Sequence, residues 1–206
     1  MIKPILSILI CSVTERAEKY LAPLIAELDR QIAPFNNQVE VISIIDRYDT
    51  SMKVGTKRNL LREMATGIHQ LFLDDDDWIS EKFISEIMKA IKDHPNKDVY
   101  CYMVEYSDQI YHYHTPVHYS VKYRMYTSKQ RNPKGGDMYR SPNHLMVFKS
   151  VLANRFPFPE WDNGEDTDFE QRIAQEIKSE YQIPKILYYY RYRREVSLAQ
   201  RGRFGS

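Results

Sequence analysis

Four consecutive acids, Asp74-Asp75-Asp76-Asp77, close the apolar run Leu71-Phe72-Leu73 and are followed by Trp78. Like charges this close repel, so a cation among them is the simplest chemistry they invite. Hard carboxylate oxygens suit magnesium or manganese, and such ions commonly keep coordination positions for substrate phosphates. The competing reading is a solvated acidic turn ahead of a helix, where negative charge is favoured in any case. A second acidic group follows in Gly164-Glu165-Asp166-Thr167-Asp168. Gly164 permits a tight turn that exposes Glu165 and Asp166 at a helix start. A carboxylate there can take a proton from an attacking hydroxyl, provided it faces the same crevice as the first group. Plain capping of that helix by Asp162, Asp166 or Asp168 is the alternative.

Both groups depend on the elements that carry them. Residues 5–13 form a nearly continuous apolar run, as expected of a strand covered on both faces of a parallel sheet. From Glu15 to Ala33 the apolar positions recur every three or four residues, which predicts a helix with Thr14 as its N-cap. Val39 to Ile45 reads as a second strand ending at Asp46. Lys53 to Gly67 reads as a helix with Leu60, Leu61, Met64 and Ile68 on its apolar side and Lys57, Arg58 and Arg62 on or near the other. His69 to Leu73 is the strand that leads into the acids. A helix capped by Ser80 then runs to Asp93-His94-Pro95, and Val99 to Val104 returns to strand. Strands alternating with helices predict a mostly parallel α/β sheet with right-handed crossovers. Ligands of such sheets bind beyond the carboxyl ends of the strands. That rule gathers residues 14–16, Asp46 and residues 74–77 around one crevice.

After Tyr106 the pattern changes to short Tyr- and His-rich alternation through Tyr126, which predicts antiparallel ribbons, and then to a loop over residues 127–137. His144 to Phe148 and Lys185 to Arg193 read as strands, and Asp166 to Ile177 as a helix. No linker divides the chain, so residues 1–206 are expected to form one domain. Its halves would be an α/β half over 1–106 and a smaller, irregular antiparallel half over 107–206.

The totals fit this outline. The chain has 206 residues, 43% hydrophobic and 28% charged, with a formal net charge of +1, which suits a globular domain with a real core. Acids outnumber bases through Met103 and bases outnumber acids after it, as suits a cation on one side of a site and anionic groups on the other. Cys11 and Cys101 each lie in an apolar run and read as small core residues. No segment reads as a leader or approaches a membrane span, so a reducing, cytoplasmic compartment is expected. Residues 201–206 read as a frayed tail.

Residues 122–140 interleave Lys122, Arg124, Lys129, Arg131, Lys134 and Arg140 with Tyr123, Tyr126 and Tyr139. Basic and aromatic side chains together grip phosphates and stack on bases, and they also stack on sugar rings, so a nucleic-acid and a glycan partner both remain open. A plain surface loop is the other reading. His112, His114 and His118 alternate at period two, as on one strand face, and His144 beside Asn143 is placed to face an acceptor.

Residues 5–18, Gly55-Thr56-Lys57-Arg58-Asn59, Leu73 to Trp78 and Gly164 to Asp168 occur in the order found in GT-A glycosyltransferases, and the chain most resembles glycosyltransferase family 2. The resemblance implies a Rossmann-like GT-A fold and transfer of a sugar from a nucleotide-diphosphate donor, a UDP-sugar foremost, to a hydroxyl of a glycan, lipid or modified nucleic acid. It implies that Thr14, Glu15 and Arg16 border the nucleotide and that Asp46 faces the base. Arg58 and Lys53 would approach phosphate or sugar, and Asp74 and Asp75 the donor. Asp76, with Asp74, would hold manganese or magnesium in an Asp-x-Asp pattern whose register Asp75 and Asp77 leave open. Asp166 would be the base of an inverting reaction, Glu165 would contact acceptor or sugar, and Arg191 and Arg194 would close over the diphosphate. The first turn, Cys11-Ser12-Val13-Thr14-Glu15-Arg16, departs from the family's usual Pro-Thr-Tyr-Asn-like turn.

Two alternatives share much of this fold. One is nucleotidyl transfer to a sugar phosphate, which usually brings a glycine-rich first loop; residues 12–16 contain no glycine. The other is a nucleotide-sugar-binding module that has lost turnover.

Overall fold

The computed structural model describes residues 3–47, 52–108, 113–124 and 136–192. Its strands are β1 (Leu6–Val13), β2 (Val39–Asp46), β3 (His69–Asp74), β4 (Trp78–Ile79), β5 (Val99–Asp108), β6 (Tyr113–Tyr119), β7 (Met138–Arg140), β8 (Val147–Lys149) and β9 (Glu180–Tyr192). They form one sheet whose main path runs β2-β1-β3-β8-β5-β6-β7. β1 pairs in parallel with both β2 and β3. β8 is antiparallel to both β3 and β5, so β5 again points the same way as β3. β9 lies parallel to β5 and returns to pair with β4.

This arrangement has a consequence for the site. The carboxyl ends of β1, β2, β3 and β5 fall on one edge of the sheet. Because β8 runs the other way, the segment entering it, Asn143 to Met146, begins at that same edge. The Phe72 N–H donates to the His144 carbonyl at 3.0 Å and stitches that segment to β3.

The unbroken apolar runs of β1 and β3 are buried nearly throughout, as their composition requires of strands covered on both faces. Helices α1 (Ala22–Ile32) and α3 (Phe83–Asp93) pack on the sheet through residues such as Leu24, Leu28, Phe83, Ile84 and Ile87. Beyond Asp108 the sheet turns antiparallel in the β5–β6 pair, matching the alternating pattern there, although β6 and β7 pair in parallel. β9 contains Pro184, and its register against β5 shifts around that residue; the bulge absorbs a residue that has no N–H for the ladder.

Several sequence expectations need correction. The first helical stretch is not uniform. Thr14–Arg16 is one α-turn, Ala17–Leu21 is a π-helical turn, and α1 follows. Val13 occupies the cap position and Thr14 caps nothing. Ser80 does not cap α3 with its side chain either. That role falls to Gln31 of α1, whose amide oxygen accepts from the Ile84 N–H at 3.0 Å while its nitrogen donates to the Ser80 carbonyl at 2.8 Å. The largest reversal concerns α2 (Val54–Met64). Its buried residues are Gly55, Lys57, Arg58, Leu61 and Arg62, whereas Met64, and Ile68 beyond the helix, are exposed. Each of the three cations finds an acid, an amide or a carbonyl inside the protein, which makes burial of that polar face tolerable.

Candidate active site

Along the strand-end edge lies a cavity of about 530 Å³, within the usual range for small-molecule sites. The acid run forms one part of its wall and the Gly164-Glu165-Asp166 turn another.

The four acids have separate environments, set by where the turn after β3 points each one. Asp77 is buried and looks inward. It accepts from the Tyr188 hydroxyl at 2.7 Å and from the Arg191 N–H at 2.8 Å, so it latches the turn to β9. Burial, reinforced by the Asp74 and Asp76 charges, pushes its carboxyl well above the ordinary range. Asp75 is buried too. It accepts from Ser12 at the end of β1, at 2.5 Å, and pairs with Arg16. Burial raises it to about 6 although Arg16 and Ser12 act the other way. The Arg16 guanidinium also reaches Asp76 at 2.7 Å. Asp74 pairs with Arg58 at 3.3 Å, and its N–H donates to the Tyr188 hydroxyl at 3.2 Å. Burial works against ionisation of Asp74, but His144, Arg58 and Arg16 outweigh it and hold the carboxyl well below the usual range.

Helix α2 joins this side to the second acidic group. Gly55 lies directly under the Pro159 carbonyl, where a Cβ would collide with the oxygen, and its N–H donates to the Trp161 carbonyl at 2.9 Å. Asn59, one turn on, both donates to and accepts from the Phe158 backbone at 2.8 Å. Asp162 accepts from the Val54 N–H at 3.3 Å and pairs with Lys53 at 2.5 Å. Thus the Gly-x-x-Arg-Asn stretch docks the segment 158–162 against the start of α2. Arg58 lies between, flanked by the rings of Phe72 and Phe158, and pairs with Asp74 on one side and Glu165 at 3.4 Å on the other. Two of its nitrogens, Nε and Nη1, are buried without a hydrogen bond.

The docked segment ends at Gly164, whose φ of 85° is a left-handed conformation that glycine accepts readily. No atom crowds the position of a Cβ there, so conformation is what calls for glycine. After the short helix α4 (Ser150–Ala153) comes α5 (Glu165–Ile173); Gly164 is its cap, and none of the nearby acids caps it through a side chain. Glu165, Asp166 and Asp168 fall in the first turn, where the helix dipole favours negative charge. Asp166 accepts from the Thr167 N–H at 2.8 Å through one oxygen and turns the other toward His144. Burial acts to raise its carboxyl, but the positive fields of His144, Arg58 and Arg140 prevail and lower it. Glu165 goes the other way, because burial exceeds the help it receives from Arg58. Arg140, also in the cavity wall, is anchored by the fully buried Glu170 at 2.7 Å, which also accepts from Ser141.

Of the residues singled out in the sequence, Arg16, Arg58, Asp74, Asp75, Asp76, Glu165, Asp166 and Arg191 all line the cavity. The Arg191 guanidinium sits 5.7 Å over the Trp78 ring. Thr14 and Glu15 lie in an exposed turn bonded to each other, and Lys53 pairs with Asp162; none of the three is part of the wall. Asp46 lies behind the wall, paired with Lys57, whose ammonium also donates to the Ser12 carbonyl at 3.2 Å. Arg194 and most of the basic segment, including Lys129, Arg131 and Lys134, fall outside the described residues. Arg140, the end of the basic segment 122–140, lines the cavity; Lys57, Ser12 and Tyr188 were not singled out as site residues, yet Lys57 and Ser12 line it too and Tyr188 holds Asp77 in place. Lys57 and Arg58 carried a signal, since adjacent cations flanking the apolar face of a helix that follows an acid-ended strand have acids to meet. Cys11 lines the cavity as well, but burial pushes its thiol up to about 12, away from reactivity.

Among the described residues, no group of three or more His, Cys, Asp or Glu side chains is arranged to hold a metal, and no helix is long and apolar enough to cross a membrane.

The curled, mostly parallel sheet with its strand-end cavity is the GT-A glycosyltransferase fold. The structure resembles residues 1–349 of S. aureus TarS in complex with UDP-GlcNAc, at a TM-score of 0.61 and 16% identity over 91% of this chain. It resembles the same protein with UDP at a TM-score of 0.60 and 15% identity, again over 91% of the chain. The chain spans 58% and 60% of those two structures. The model of glycosyl transferase family 2 matches residues 50–156, more than half of the sequence, and the chain belongs to that family. A comparison with curated proteins returns no match.

Proposed function

We propose that the protein transfers a sugar from a UDP-sugar to an acceptor hydroxyl, with inversion at the anomeric carbon. The observation that carries this reading is that one cavity is walled by both acidic groups, with Arg58 paired to an acid of each. Family membership and the likeness to TarS bound to UDP and UDP-GlcNAc support the donor class.

In this reading the UDP lies along the ends of β1 and β3, beside Ser12, Arg16 and Lys57. The sugar faces Arg58, whose Nη1 makes no hydrogen bond within the fold and suits its hydroxyl or phosphate oxygens. Asp166 is anionic at neutral pH because neighbouring cations hold it so. It accepts the acceptor's proton as that oxygen bonds to the anomeric carbon. The bond from carbon to the diphosphate oxygen breaks, and UDP departs with the electron pair toward Arg16, Arg58 and Arg191. Glu165 stays paired with Arg58 and steadies the turn.

In this reading a divalent ion would be held at Asp76, with Asp74 nearby and substrate phosphates completing its shell. Magnesium and manganese commonly take one or two carboxylates and complete their shell with phosphate oxygens. Asp76 lines the cavity and offers such oxygens, and the ion would take the place of its Arg16 contact. Bound there, the ion would neutralise the leaving diphosphate as a Lewis acid. The acceptor enters on the side of Arg140, Tyr106 and Tyr190, where charged and aromatic groups suit a glycan, lipid headgroup or modified nucleic acid.

Calorimetric titration of the protein with UDP, with manganese and then with EDTA, tests the donor side. Saturable binding that weakens on chelation is expected. Absence of binding in both conditions sinks the proposal.

A further inference from the structure

His144 is a buried group to which this mechanism gives no step of its own. It stands on the segment entering β8, 5% exposed, with its ring 6.4 Å from that of Phe72 in an edge-to-face arrangement. Both ring nitrogens are buried, and neither makes a hydrogen bond among the described residues. Leaving a buried donor or acceptor unmet costs about 1–3 kcal/mol, so such a group in a native fold calls for a reason.

The nitrogens face two carboxylates. Nε2 is 3.7 Å from an Asp74 oxygen and Nδ1 is 3.9 Å from an Asp166 oxygen. Each distance exceeds a hydrogen bond by less than 1 Å. Catalytic hydrogen bonds are often long before substrate arrives and tighten in the complex. Asp74 ends β3 on the donor side, whereas Asp166 opens α5 on the acceptor side. The imidazole spans the gap between them, and Arg58 and Glu165 lie close by in the same wall.

We propose that His144 is a positioning residue that ties the donor-side carboxylate Asp74 to the base Asp166. Closure of the cavity around a UDP-sugar shortens both contacts to hydrogen bonds and so fixes the direction in which Asp166 faces the acceptor. This rests on the glycosyl-transfer reading above. Arg58 pairs Asp74 with Glu165 in parallel, so the two acidic groups are joined twice, once by a cation and once by the imidazole.

The experiment has two arms. In the first, long-range proton–nitrogen spectra of the His144 ring are recorded on the protein with and without saturating UDP. Asp74→Asn is expected to shift Nε2 most, and Asp166→Asn to shift Nδ1 most. In the second, UDP release from a UDP-sugar is followed for His144→Phe, which keeps a ring against Phe72, and His144→Gln, which retains a hydrogen-bonding amide. A misplaced catalytic group can cost on the order of a hundredfold. His144→Phe is therefore expected to lower kcat by about tenfold or more, with the donor KM changed by less than about twofold, and His144→Gln to recover part of the loss. In an Asp166→Asn background His144→Phe is expected to do nothing further, since both act through one carboxylate. A kcat unchanged in His144→Phe, or losses that multiply with Asp166→Asn, would overturn the assignment. If no UDP-sugar is turned over by the wild type, the transfer reading fails by itself and the spectra still decide the tie. Ring signals that respond to both asparagine substitutions uphold it, and signals indifferent to both overturn it.

Discussion

Asn59 and Phe158 exchange two hydrogen bonds of 2.8 Å, the Asn59 amide donating to the Phe158 carbonyl and accepting from its N–H. A side chain here does what a neighbouring strand would do, and it binds α2 to the segment that delivers the Gly164-Glu165-Asp166 turn. The Gly-x-x-Arg-Asn stretch is therefore a mount for the turn that carries Asp166, the proposed base.

Replacing Asn59 by Ala strands two backbone groups in a partly buried place. An unfolding free energy lower by about 1–3 kcal/mol is expected in denaturant titrations. Because the mount loosens, kcat should fall while UDP affinity stays close to that of the wild type. Gly55→Ala should act in the same direction, since its Cβ would collide with the Pro159 carbonyl.

The acid run makes a pH prediction. Asp75 has a folded-state value of about 6, above the ordinary 3.8. The folded protein thus binds this proton more tightly than the unfolded chain, so the related stability is fully present below about pH 4 and is lost as pH rises through 6. Compared with Asp75→Asn in EDTA, the wild type should gain stability as pH is lowered from 7 to 5. A stability difference between the two that is flat across that window would show that Arg16 and Ser12 compensate the burial completely.

Asp76 carries the metal prediction. Asp76→Ala should abolish the manganese dependence of UDP binding and leave the weaker metal-free affinity near that measured for the wild type in EDTA. Asp77→Asn should behave differently, because Asp77 is held by Tyr188 and the Arg191 backbone inside the fold. It should preserve manganese-dependent binding and show its effect mainly as a lower melting temperature.

Much of the fold could be read from the chain because unbroken apolar strands and period-3.6 helices write burial directly into sequence. The parallel β1, β2 and β3 and the acid-ended β3 are of that kind. What escaped reading depends on tertiary partners. α2 turns Lys57, Arg58 and Arg62 inward because Asp46, Asp74, Glu165 and the Phe156 carbonyl await them, and none of these is a local neighbour. For the same reason the cap of α3 comes from Gln31 on another helix instead of the adjacent Ser80. β8 running antiparallel inside the sheet was likewise invisible to periodicity, and it alone explains how His144 comes within reach of Asp74. The identities of Arg58, Asp74, Asp76 and Asp166 as site candidates were legible; their mutual arrangement needed the fold.

The most direct test of the central claim is UDP release from a panel of UDP-sugars in the presence of manganese, comparing wild type with Asp166→Asn. The expected result is turnover of at least one donor by the wild type and a loss of about 10²–10⁴-fold in kcat for Asp166→Asn, with UDP binding retained. Equal release by the two proteins, or no turnover of any UDP-sugar by the wild type, would contradict it.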